Sequence, residues 1–104
     1  MYILNAFSAN MLVGGFPASV KFTEVTAASA AIKALGAVSA VGHPDTATLF
    51  SKVLGVTIPC NRTTVKLYRG DAAILGQYTG PRLPEGTTEL PDGARITWLL
   101  VEVS

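Results

Sequence analysis

A chain of 104 residues has room for one domain, residues 1–104, and one core. With 49% hydrophobic and only 14% charged residues it is too apolar to stay disordered, and it leaves apolar surface for a homodimer to cover. A net charge of +1 argues against a broad basic face for duplex DNA or an anionic membrane, while a small anion held by a few arginines stays possible. The single cysteine, Cys60, forms no internal disulfide, in keeping with a reducing cytoplasm. The start MYILNAFSANML is interrupted by Asn5, Ser8 and Asn10 and does not read as a signal peptide, and no apolar run has the length of a membrane span.

Tyr2 to Phe7 reads as a first strand, and SANMLVGG as a loop. Ala18 to Val25 alternates, with Val20 and Phe22 on one side and Lys21 and Thr23 on the other, which predicts a strand with one buried face. Thr26 suits the N-cap of a helix AASAAIKAL that Gly36 stops, and its alanines allow close packing on a sheet. Ala37 to Val41 is a short buried strand. A second helix runs from Pro44 to Leu54, with proline at the first helical position, a buried face of Ala47, Phe50, Val53 and Leu54, and Gly55 as its end. Thr64–Leu67 and Ala72–Tyr78 read as a hairpin around Arg69-Gly70-Asp71. Thr79 to Ala94, with three prolines and three glycines, is a long irregular loop of the kind that carries function or is disordered. Arg95 to Val103 is apolar on both faces in its middle and predicts a central strand. The order implies an α/β domain: a mixed, mainly five-stranded sheet flanked by α-helices.

His43, the only histidine, stands just before the second helix. Free N–H groups at such a start favour a bound anion, and a histidine beside it can donate a proton to a leaving oxygen. The alternative is a solvated histidine without a role. Arg82 and Glu85 sit three apart in the long loop, each near a proline, where an arginine could cover a phosphate and a carboxylate position a hydroxyl; two solvated charges are the alternative. Arg62 is a phosphate clamp or a surface charge. Asn5, Ser8 and Asn10 could bond sugar hydroxyls or base edges, or simply satisfy a turn. Cys60 reads as a packed thiol. No paired histidine or cysteine ligands, P-loop, GxGxxG or serine-triad signature is present, so neither a metal nor another cofactor is expected.

Four stretches, YILNAFSANML, AVGHPDTATLFSKVLG, IPCNRTTVKL and QYTGPRLPEGTTELPDGA, together resemble the small viral ring nucleases that act as type III anti-CRISPR proteins, a family with relatives in bacterial chromosomes and prophages. The resemblance implies a homodimer that encloses cyclic tetra-adenylate and cuts it, without a metal, to linear di-adenylate in the host cytoplasm. It places the catalytic histidine, arginine and glutamate on His43, Arg82 and Glu85. It places ligand contacts on Asn5, Ser8, Asn10, Thr46, Arg62 and Gln77. The turn after the family's histidine often carries serine or threonine; here Thr46 fits and Asp45, an acid beside an anion, departs. Two rivals remain: a protein that binds the cyclic nucleotide without cutting it, and a dimeric DNA-binding or assembly protein, which would lack any basic helix or arm.

Overall fold

The computed structural model describes all 104 residues, Met1–Ser104. Five strands, β1 (Tyr2–Leu4), β2 (Val20–Val25), β3 (Val38–Ala40), β4 (Ala72–Thr79) and β5 (Arg95–Val103), form one sheet in the order β2-β5-β4-β1-β3. β1 runs parallel to both β3 and β4, while β5 is antiparallel to β4 and β2, so the sheet is mixed, as the order of the elements predicts. The apolar run of β5 does place it inside the sheet, between β2 and β4.

Two helices, α1 (Ala27–Ala34) and α2 (Pro44–Leu54), cover one face. Thr26 caps α1 by accepting the Ser29 N–H at 3.1 Å, and Gly55 ends α2 in the left-handed conformation, φ 72°. Ala30, Ala47, Phe50 and Leu54 pack against Ile3, Ile74 and Trp98 of the sheet. Phe50 meets Trp98 edge to face with ring centroids 4.9 Å apart, directly over Gly76. A Cβ at Gly76 would lie 2.5 Å from Trp98 and 2.6 Å from Phe50, so only glycine admits this ring pair. On α2, Leu49 is buried and Val53 is partly exposed, the reverse of the periodic reading, because Val53 faces a shallow groove beside Leu90.

The hairpin predicted for Thr64–Leu67 and Ala72–Tyr78 does not form. Both edges of β4 are already taken, by β1 and β5, and no third strand can pair there. Leu67 instead makes one parallel bridge to Leu12, and Val65 and Leu67 fold over the second face of the sheet onto Leu4, Ala73, Val101 and Val103. β1 is also shorter than predicted, ending at Leu4; Ala9–Met11 is a single turn of 3₁₀ helix. The second face is covered only in part. Phe22, predicted on the buried side of its strand, is 47% exposed there, touching Phe7 edge to face. No helix is long and apolar enough to cross a membrane.

Candidate functional site

The strands β1, β3 and β4 are parallel, so their carboxyl ends lie along one rim of the sheet, the usual place for ligands in such folds. β3 leads through Val41 and Gly42 into His43, the N-cap residue of α2. Pro44 fixes the helix start, and the His43 carbonyl accepts the Ala47 N–H at 3.0 Å. The imidazole makes no capping bond, and the N–H groups of Asp45 and Thr46 have no acceptor. An unused helix start with an exposed imidazole beside it offers an anion both N–H donors and a proton donor.

The loop 80–94 brings the other two residues to this point. His43, Pro44, Asp45, Arg82, Leu83, Pro84 and Glu85 line one cleft of about 630 Å³. Its near end is anchored where the Tyr78 hydroxyl donates to the Pro81 carbonyl, and a tight turn follows in which the Thr87 N–H and hydroxyl both donate to the Pro84 carbonyl. A second opening, shared by His43, Thr46, Tyr78, Gly80, Arg82 and Leu83, continues the cleft along α2. The cleft thus holds one histidine, one arginine and two carboxylates, and none of them forms an ion pair with another.

Arg62 packs against Gly42, the residue before His43, and lines neither opening of the cleft. Asn61 ties its segment to β3, its N–H donating to Val41 O at 2.8 Å and its Nδ2 to Ser39 O at 2.7 Å, while the Ser39 hydroxyl donates to Pro59 O at 2.6 Å. The Arg62 side chain therefore lies against Gly42, next to His43; a Cβ on Gly42 would be 3.6 Å from Arg62 Cγ. Asn5 and Gln77 are elsewhere. With Ala6, Phe7, Phe22, Leu75 and Leu99 they line a second cleft, of about 550 Å³, on the partly covered second face. Ser8 accepts the Asn10 N–H at 3.3 Å and so caps the 3₁₀ turn, the local role that small polar residues commonly fill, and Asn10 is exposed in that turn. Neither lines a cleft with His43.

Sequence reasoning missed Tyr78, Ser39 and Asn61. Tyr78 alternates with Gln77 on β4, so the strand pattern already sends the two to opposite faces. Ser39 and Asn61 carry no local signal, because their bonds join segments 20 and 22 residues apart. No three His, Cys, Asp or Glu side chains gather where they could hold a metal ion.

Fold and cleft define a small single-domain α/β protein with a polar, histidine-bearing cleft at the carboxyl rim of a mixed sheet. The sequence model of the STIV B116-like family matches residues 1–93, and the chain belongs to that family. It is similar to the solved structure of B116 of Sulfolobus turreted icosahedral virus (STIV), a viral protein, at 28% sequence identity and a TM-score of 0.80 over 97% of each chain. No curated protein sequence matches it.

Proposed function

We propose that the protein is a metal-independent ring nuclease. In this reading it binds cyclic tetra-adenylate between two copies of the chain in the cytoplasm of the cell and cuts it to linear di-adenylate, silencing type III CRISPR signalling. The observation that carries the reading is the convergence of His43, Arg82 and Glu85, from a helix start and a loop 39 residues further on, at one cleft beside free helix N–H groups.

The chemistry needs little beyond these groups. RNA carries its own nucleophile, the ribose 2′-hydroxyl, so positioning and an acid suffice. Glu85 takes the hydroxyl proton as the 2′ oxygen forms its bond to phosphorus. Arg82 and the helix start neutralise the phosphate. His43 gives its proton to the 5′ oxygen as the P–O5′ bond breaks, leaving a 2′,3′-cyclic phosphate and a free 5′-hydroxyl. Arg62, against Gly42, adds charge from the side. Thr46 stands at the second opening, where its N–H also faces out.

Two features support a dimer. A cleft of about 630 Å³ is in the range that holds one small ligand, and a four-nucleotide ring fills two better than one. The exposed Phe22, with Leu75 and Leu99 nearby, leaves an apolar floor beside Asn5 and Gln77 that a second copy would cover.

The test is incubation of labelled cyclic tetra-adenylate in excess EDTA with the wild type and His43→Ala. The expected result is di-adenylate from the wild type, and a variant that binds the ring but turns over roughly 10²- to 10⁴-fold more slowly. Binding without cleavage by either protein would make it a nucleotide sponge. Absence of binding would remove this ligand altogether.

A further inference from the structure

The loop between β4 and β5 is fastened along α2. At the first turn of the helix, the Gly86 N–H donates to Asp45 Oδ2 at 3.2 Å. At the last turn, Lys52 Nζ lies 3.9 Å from Glu89 Oε1. Leu90 then shares a groove with Val53. Asp45 and Lys52 are two helical turns apart, so they occupy one face, about 10 Å from each other along the axis. Gly86 and Glu89 are three residues apart, so the chain between them reaches at most about 10 Å, less the part taken up by the turn at Gly86, φ 79°. The two contacts hold both ends of residues 86–89 to one side of the helix, as a strap.

The strap begins where the cleft's loop residues end. Arg82 and Glu85 lie between two fixed points, the Tyr78–Pro81 hydrogen bond before them and the Asp45–Gly86 bond after them. Glu85 adjoins Gly86 directly, and the turn closed by Thr87 on Pro84 transmits the grip to it. Asp45 itself lines the cleft with them. A carboxylate there would repel an anionic ligand, so a second role has to offset that effect.

We propose that Asp45 is a positioning residue. By holding Gly86, with Lys52 and Glu89 as the second grip, it clamps the strap to α2 and sets Arg82 and Glu85 opposite His43. This role in turnover rests on the reading of the cleft as the place where the phosphodiester is cut; the clamp itself does not.

Amide exchange of the ligand-free protein, read by NMR over residues 82–90, tests the clamp in the wild type, Asp45→Ala and Asp45→Asn. The alanine variant should speed exchange at Gly86 roughly two- to tenfold, the loss of one hydrogen bond. The asparagine variant should stay near wild type, because its amide oxygen still accepts. With labelled cyclic tetra-adenylate, kcat should fall severalfold in Asp45→Ala and recover in Asp45→Asn, with Kd changed less. Unchanged exchange at Gly86 in the alanine variant would overturn the clamp. So would identical behaviour of the two variants, which would leave Asp45 only a charge effect on the ligand. Should Asp45→Ala fail to fold, Glu89→Gln loosens the other grip from the loop side. Faster exchange across 86–90 is then the supporting result and unchanged exchange the overturning one. If the wild type cuts no cyclic oligoadenylate, the assignment of the cleft falls, and the exchange series still decides the clamp.

Discussion

His43→Ser should make the protein more stable and nearly inactive at once. His43 has the extended backbone of an N-cap, φ −124° and ψ 127°, but its side chain caps nothing. The N–H groups of Asp45 and Thr46 wait unpaired. A serine hydroxyl in the same backbone accepts one of them, which is worth about 0.5–2 kcal/mol. For a domain of this length each kcal/mol moves Tm by about 4–8 °C. The same substitution removes the imidazole, and in the proposed mechanism loss of this general acid slows turnover by roughly 10²–10⁴, or about 3–5 kcal/mol in the barrier. His43→Ala separates the two effects: it should lose the activity and melt with the wild type.

Thermal unfolding by circular dichroism, beside turnover of labelled cyclic tetra-adenylate, reads both quantities in the three proteins. A serine variant less stable than wild type would mean that the imidazole has packing or hydrogen bonds the structure does not give it. A serine variant within about tenfold of wild-type turnover would remove His43 as the acid. The expected opposition of signs is what a residue kept for function at a stability-poor position produces.

Gly76→Ala should destabilise by about 1–3 kcal/mol or more, since its methyl would sit 2.5 Å from Trp98 and 2.6 Å from Phe50, both buried; a denaturant midpoint equal to wild type would place the ring pair elsewhere. Asn61→Ala should cost about 0.5–1.5 kcal/mol in urea unfolding, because the Ser39 carbonyl on the outer edge of β3 loses its 2.7 Å partner. It should also weaken ligand binding through Arg62, whereas an effect on stability alone would detach Arg62 from the site.

What the sequence disclosed depended on how local the cause was. α2 was legible at both ends because Pro44 and Gly55 are conformational choices made within the residue. The N-cap Thr26 was legible for the same reason. The segment Thr64–Leu67 misled because Val65 and Leu67 alternate as a strand does, yet a strand also needs a free edge. Both edges of β4 were taken, one by β1, some 70 residues earlier in the chain. Phe22 misled because alternation reports which face a side chain is on, not whether that face is covered. His43, Arg82 and Glu85 were weak signals one by one and gained weight from the family resemblance. Their meeting in a cleft depends on the strap along α2, whose bond joins positions 41 residues apart and leaves no pattern in either segment.

The remaining residues of the proposed site are divided by the pleat of one strand. Gln77 and Tyr78 are neighbours on β4, and a strand sends neighbours to opposite faces. Tyr78 faces the His43 opening, while Gln77 joins Asn5 above the apolar floor of Phe22 and Leu99. The two clefts therefore stand back to back on the rim rather than side by side. A ligand lying in the His43 cleft of one chain would have to pass around the strand to reach that chain's own Gln77. In the proposed dimer the need disappears, because a second copy can present its Asn5 and Gln77 to a ring already held at His43 and Arg82. The division of the polar residues between two faces is what the proposed dimer would account for, with each chain supplying half of a binding site.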